Sequence, residues 1–380
     1  MRASWWQLPG PSRFIRQVTQ DLQDGKNVVL CLPQHFPEGL GRAIRAQLEV
    51  YESWPWYTLA LDQLGDVSPA DFLYSMFVRG GLTQGLCSAA TLARERAFAG
   101  RVIWLSGITA AIWPIWRQFI AEYSHACKEQ PPATRTVFVL PLMGELTHGP
   151  PADDICLAVH AWQGIVSRFD MLLFTAGILP DTRLGHAVER QLMIACVANL
   201  ALWDPEVAEM LIELPLASIL SPHTALSEYA RARSWERVPP ADTSWCRGMR
   251  ETIDGADELH SALCLHDAAQ RRIERRIWSA QVGTLLPLVE EQRQDLLVRL
   301  RRHLAVPFVT PEGGTVADLQ DLEIGHIYWQ LTDLRRQGIR DTTLHLDSMI
   351  GRVNALRQIR NDLAHLKCIS AERLQPLWGR

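Results

Sequence analysis

Near the C-terminal end of the chain Arg360 is followed directly by Asn361, and His365 stands five positions after the arginine. A guanidinium clamps a phosphate through paired hydrogen bonds. An imidazole moves a proton near neutral pH. Together the two groups would cut RNA by activating a 2′-hydroxyl against its neighbouring phosphate, without a metal ion. The same spacing also describes a surface arginine and a capping or half-buried histidine in a last helical turn. Two fixed positions in such a short motif recur by chance in many helices, so the surroundings have to decide.

A second candidate is the tetrad Arg271, Arg272, Arg275 and Arg276, the one dense basic face in the sequence. Such a face can follow RNA phosphates. Glu274 lies inside it and Glu290, Glu291 and Asp295 follow, so a solvated or ion-paired surface is the competing reading.

The element that positions the first candidate is a helix. Val353, Leu356, Ile359, Leu363 and Leu366 recur at spacings of three and four, which gathers them on one face. Arg360, Asn361 and His365 then fall at or beside its edge. The run Leu356–Leu366, preceded by Asp321-Leu322-Glu323-Ile324-Gly325-His326-Ile327, resembles the last helices of a HEPN domain. The resemblance covers roughly the last third of the chain and rests on Arg360, Asn361 and His365. It implies an all-α C-terminal bundle that dimerises. In such a dimer His365 would act as general base or acid, Arg360 would stabilise the scissile phosphate and Asn361 would orient the pair. It further implies an endoribonuclease of the bacterial defence or toxin kind that leaves 2′,3′-cyclic phosphate ends. HEPN domains also serve as plain dimerisation or RNA-binding modules, so a scaffold subunit among other protein subunits is the alternative.

The first half of the chain alternates short apolar runs with amphipathic ones. Asn27–Leu32, Trp56–Leu61, Arg101–Leu105, Thr136–Leu140 and Asp170–Thr175 read as strands buried on both faces. Gly41–Tyr51, Ala70–Ala97, Trp113–Glu129 and Ala152–Arg168 read as helices between them, which predicts a mostly parallel sheet in an α/β domain. The order resembles AAA or STAND-type P-loop modules. The loop Pro33–Gly41 would be the phosphate loop, yet it lacks the Gly-Lys-Ser/Thr that holds phosphate, and Glu38 would repel an anion. Ser106 and Pro141 stand where a metal-binding aspartate is expected. A degenerate module without ATP hydrolysis follows from these residues. No cofactor or metal ligand set is read, and the His186–Glu189 pair has no third ligand at useful spacing.

The rest of the chain bounds these readings. A net charge of −4 over 380 residues gives no global basic field, so nucleic-acid contact has to be local. The eight cysteines include no Cys-x-x-Cys and sit in apolar runs, as free thiols of a reducing compartment do. Nothing at the N-terminus resembles a signal peptide, and no segment approaches the roughly 18–20 apolar residues of a membrane span. A cytoplasmic chain with no membrane partner is expected. The Trp5-Trp6 pair is the best candidate for docking on another surface. Three regions are predicted: an α/β domain over 1–183, a helical extension and linker over 184–255, and a helical domain over 256–380. Within them, Asp204 should cap a helix beginning at Pro205, Pro222–Gly255 should be loop, and Asp267–Leu304 should be helix interrupted near Gly283 and Pro287. Thr315 and Asp318 are expected to cap the following helix.

Overall fold

The computed structural model describes residues 5–50, 54–61, 67–78, 87–180, 186–235, 237–238, 240–265, 270–310, 313–338 and 345–378. Of the expected features, the boundary at Leu184, Pro239 of the expected loop and the helix start at Asp267 lie outside the described residues.

The N-terminal elements are α1 (Pro9–Gln23), β1 (Asn27–Leu32), α2 (Leu40–Glu49), β2 (Trp56–Ala60), α3 (Pro69–Phe77), α4 (Ala89–Arg94), β3 (Val102–Ser106), α5 (Trp113–Cys127), β4 (Val137–Met143), β5 (Leu157–Ala161) and α6 (Arg168–Ile178). The five strands form one parallel sheet in the order β2-β3-β4-β1-β5. Parallel neighbours need crossover connections, and the helices supply most of them. Every residue of β1 is buried, as expected for a strand covered on both faces. Asn27 is the buried polar exception. Its side chain donates to Ser124 Oγ at 2.9 Å and accepts from the Phe138 amide at 2.9 Å, so it ties the start of β1 to α5 and β4. Phe98, Phe119, Tyr123 and Phe138 pack edge to face or tilted beneath the sheet, the arrangements that aromatic quadrupoles favour.

Four strands lie on predicted runs, and the fifth does not. Leu157–Ala161 falls inside the expected helix 152–168, while the expected strand Asp170–Thr175 lies inside α6. The reason is a reciprocal cap. Ser167 Oγ accepts from the Asp170 amide at 3.1 Å. Asp170 Oδ2 accepts in return from the Ser167 amide at 2.8 Å. Such a box satisfies donors at a helix start and holds the chain out of a strand. Asp170 also accepts from the Gly10 amide at 3.0 Å, which satisfies a carboxylate that is only 1% exposed. Apolar periodicity alone does not register the cap.

The later elements are α7 (Ala187–Ala201), α8 (Pro205–Ile212), α9 (Leu216–Ile219), α10 (His223–Ala232), α11 (Ala241–Cys246), β6 (Arg250–Ile253), β7 (Ala256–Leu259), α12 (Gln270–Arg299), β8 (Phe308–Val309), β9 (Thr315–Val316), α13 (Ile324–Arg336), α14 (Leu346–Ala364) and α15 (Ala371–Trp378). Asp204 caps α8 as expected, accepting from the Glu206 amide at 2.9 Å. Pro222–Gly255 is not simply loop: it contains α10, α11 and β6. Asp318 caps a single 3₁₀ turn instead of α13, whose N-cap is Glu323. Nor is α12 interrupted: it runs unbroken through Pro287. The carbonyl that the missing proline N–H would have bonded belongs to Gly283, where no side chain resists a local tilt.

Chain contacts divide the protein into two compact units, Met1–Asp170 with Arg237–His260, and Met171–Glu236 with Ser261–Arg380. The first holds the sheet together with α11 and the β6–β7 hairpin, so the segment around 237–260 returns to the α/β unit. The second is predominantly helical. There α12 packs against α7 and α14, and α14 against α13. Trp5 and Trp6 are 2% and 8% exposed, and Trp6 packs against Phe36 and Trp162, so the pair is core of the first unit and no docking surface. None of the eight cysteines is in a disulfide, and six are buried. Among the described residues no helix is long and apolar enough to cross a membrane.

Candidate functional site

The motif helix α14 buries Ile350, Val353, Leu356, Ile359 and Leu363 along one stripe. Each such side chain contributes roughly 1.5–3 kcal/mol of burial. Leu366 breaks the expected stripe: the helix ends at Ala364, and Leu366, at φ 59°, is 70% exposed. The chain turns back there through a bond from the Lys367 amide to the Asp362 carbonyl, at 2.9 Å, a closure that left-handed backbone at a helix end makes possible. His365 is the residue at this helix end, and its own amide bonds the Asn361 carbonyl at 3.1 Å.

Neighbouring elements fix that end. Trp278 Nε1 donates to the Leu363 carbonyl at 2.8 Å, satisfying a group the helix leaves orphaned. Gln281, fully buried on α12, donates to the Ile369 carbonyl at 2.7 Å and accepts from the Ile369 amide at 2.8 Å. Arg373 of α15 pairs with Asp362 at 2.6 Å. The backbone just before His365 is therefore bonded by Trp278, the chain beyond it by Gln281, and the Asp362 side chain by Arg373.

Arg360, Asn361 and His365 all face solvent. Arg360 Nη1 donates to Asn361 Oδ1 at 3.4 Å, and Nη2 donates to Glu323 Oε2 at 3.2 Å. Both side chains of the Arg360–Glu323 pair are largely exposed. Solvent screening therefore keeps it under about 1 kcal/mol. Glu323 itself starts α13, where its amide donates to His326 Nδ1 at 3.1 Å. Among the described residues no hydrogen bond joins Arg360 to His365. A single chain thus presents the cation and the imidazole separately, both open to a ligand.

The basic tetrad does not act as one face. Arg271, Arg272 and Arg275 are exposed, whereas Arg276 is 8% exposed and donates to Ser261 Oγ at 2.7 Å. Its place on the inner side of α12 makes it a structural clamp, leaving three of the four arginines for any surface role.

In the α/β unit the loop after β1 is already occupied by the chain itself. The Gln34 amide donates to the Cys246 carbonyl at 2.7 Å, and Trp6 Nε1 donates to the Glu38 carbonyl at 3.1 Å. Gly144 and Gly248 flank this contact at φ 60° and 72°, left-handed backbone that favours glycine. A Cβ on Gly144 would stand 3.6 Å from the Gln34 side chain, and one on Gly248 would stand 3.6 Å from the His35 carbonyl oxygen. At the end of α11, Cys246 Sγ lies 3.3 Å from His148 Nε2 and 3.0 Å from Thr147 Oγ1. Cys246 is buried. A reactive thiol has to be reachable, so this thiol–imidazole pair is closed to a substrate.

Sequence reading missed Glu251. Its carboxyl accepts from the Gly164 and Thr252 amides at 2.9 and 2.8 Å and from Trp245 Nε1 at 3.1 Å. Burial nevertheless pushes it up to about 7, against which the three donors pull it down, because desolvation disfavours the charged form. It lines a cavity of about 370 Å³ with Trp245, Arg250 and Asp257, the last two ion-paired. The alternation in Arg250–Ile253 was the available signal, since successive strand residues point to opposite faces and Glu251 takes the inner one. Among the described residues no group of three or more His, Cys, Asp or Glu side chains could hold a metal ion. No protein-family model matches this chain, and no curated protein matches it either.

Proposed function

We propose that the chain is a metal-independent endoribonuclease whose site is built on the end of α14. Two copies would bring their α14 ends to one cleft. One His365 would take the proton from a 2′-hydroxyl as its oxygen attacks the phosphorus, the bond to the 5′-oxygen would break, and the second copy's His365 would protonate that leaving oxygen. Arg360 would neutralise the developing charge on the phosphate and Asn361 would orient the pair. The observation that carries this reading is the exposure of all three side chains at a helix end whose backbone is fixed by Trp278, Gln281 and Arg373. Arg276, by contrast, spends a donor on Ser261 inside the fold. Leu366, turned out beside His365, offers an apolar contact for the second copy.

The α/β unit acts in this reading as a scaffold or regulator without ATP hydrolysis. Its strand order, with β1 between β4 and β5, is compatible with a P-loop-like ancestry, and the Cys246 carbonyl uses the Gln34 amide that a phosphate would require. A bacterial defence or toxin setting accords with the same resemblance. The test is cleavage of labelled RNA by the purified chain in EDTA, beside His365→Ala and Arg360→Ala. Removing a general base or a phosphate clamp should lower the rate by at least about a hundredfold with melting unchanged. Undiminished cutting by both variants would take the chemistry away from the α14 end, and none by any protein that dimerises normally would leave the non-enzymatic scaffold as the function.

A further inference from the structure

The second half of α12 and the first two turns of α14 enclose a cleft of about 410 Å³ that the motif does not use. Its walls combine three kinds of group. Arg299, Arg352 and His345 supply cationic or hydrogen-bonding heads, Leu296 and Met349 an apolar surface, and Asp295 a single carboxylate.

Charge pairing varies among the arginines of the helical unit. Several arginines of the helical unit have carboxylate partners: Arg293 with Glu290, Arg335 with Asp347, Arg336 with Asp333, Arg360 with Glu323. Among the described residues neither Arg299 nor Arg352 has one. Arg352 rests instead on a neutral acceptor, Gln292 Oε1, at 3.1 and 3.4 Å. Two exposed guanidinium groups thus line one cleft without a carboxylate bound to either, an arrangement suited to a phosphate.

We propose that this cleft binds a nucleoside phosphate, as one unit of an RNA strand on its way to the α14 site or as a free nucleotide. Arg299 and Arg352 grip the phosphate. The base lies on the wall formed by Leu296 and Met349. Asp295 accepts from the ribose 2′-hydroxyl, a contact that separates RNA from DNA. The RNA source rests on the nuclease reading above; the binding chemistry does not.

The experiment therefore reads binding and not cleavage. The full chain carrying His365→Ala is titrated against a labelled single-stranded oligoribonucleotide, the same sequence in DNA, and adenosine monophosphate. It is compared with the same chain carrying in addition Arg299→Ala with Arg352→Ala, Arg299→Lys with Arg352→Lys, or Arg271→Ala with Arg272→Ala. The cleft alanine pair should weaken RNA binding at least tenfold and reduce the salt slope by about 1.4, two lost contacts to a single strand. The lysine pair should recover part of the affinity, because charge remains but the fork does not. The Arg271/Arg272 pair should change it less than twofold, and Asp295→Asn should narrow the preference for RNA over DNA. Adenosine monophosphate binding that needs Arg299 and Arg352, with RNA indifferent to them, assigns the cleft to the free nucleotide. Neither ligand depending on the cleft arginines, or equal losses from the two alanine pairs, overturns the proposal. Because no arm reads cleavage, a chain that fails to cut RNA leaves the result legible.

Discussion

After β1 the Gln34 amide is bonded to the Cys246 carbonyl, beside Gly144 and Gly248 at positive φ. At the end of α14 the polar atoms are spent differently: backbone groups are bonded to Trp278 and Gln281, while Arg360, Asn361 and His365 are left to solvent. Phosphate is the ligand proposed for the α14 end, and the loop after β1 is where a P-loop would hold one. The loop has been filled from within by the returning segment 237–260, and the helix end has been braced and left open. A buried amide with a protein partner contributes to stability and gives it up only at the cost of an orphaned polar group, about 1–3 kcal/mol. An exposed guanidinium with a weak partner exchanges it for a ligand at little cost. That physical difference is why the proposed chemistry is placed in the helical unit and a structural role is proposed for the α/β unit.

The strongest way to probe the filled region is through pH. Glu251 is raised to about 7 by burial, so the folded chain holds its proton more tightly than the unfolded one does. The stabilisation that this provides is complete below the ordinary glutamate range and is lost as pH rises through about 7. Set against the ordinary value of 4.5, the shift corresponds to roughly 3 kcal/mol. Melting of the wild type should fall relative to Glu251→Gln between about pH 5 and about pH 8. Parallel curves would mean that the carboxyl is not desolvated, and the filled region would be looser than described.

A smaller effect sharpens the open region. Glu323→Gln removes the only carboxylate bonded to Arg360 among the described residues, at a stability change under about 1 kcal/mol. The freed guanidinium should lower KM for RNA a few-fold with kcat unchanged. A fall in kcat instead would make Glu323 part of the reaction. The smallest effect expected is none. ATP with Mg²⁺ should leave the melting temperature of the chain within about one degree, because a ligand stabilises only the state that it binds. A concentration-dependent rise would show that the Cys246 segment yields to nucleotide.

Much of the scaffold was legible in the sequence because periodicity reports burial directly. Val353, Leu356, Ile359 and Leu363 form the inner stripe of α14, and Asn27–Leu32 is a fully buried strand. The errors came where a local polar bond overrides the apolar pattern. Ser167 and Asp170 turn an apolar run into a helix, and Leu366 leaves the stripe because the chain reverses directly after His365. Long-range closure was not legible at all. Nothing in the composition of Ala241–Cys246 says that its last carbonyl will meet the amide of Gln34, far earlier in the chain. For the site, the positions and exposure of Arg360, Asn361 and His365 agree with the edge placement read from spacing. Arg276 does not, since whether an arginine on a helix faces in or out depends on what packs beside it.

The central claim is that the open end of α14 activates a 2′-hydroxyl. It is tested most directly by giving the purified chain, in EDTA, one RNA and its 2′-O-methyl counterpart, and determining the ends of any fragments. The RNA should be cut to 2′,3′-cyclic phosphate ends, the methylated strand should stay whole, and His365→Ala should cut neither. Cutting of the methylated strand, or fragments ending in 3′-hydroxyl and 5′-phosphate, would contradict it.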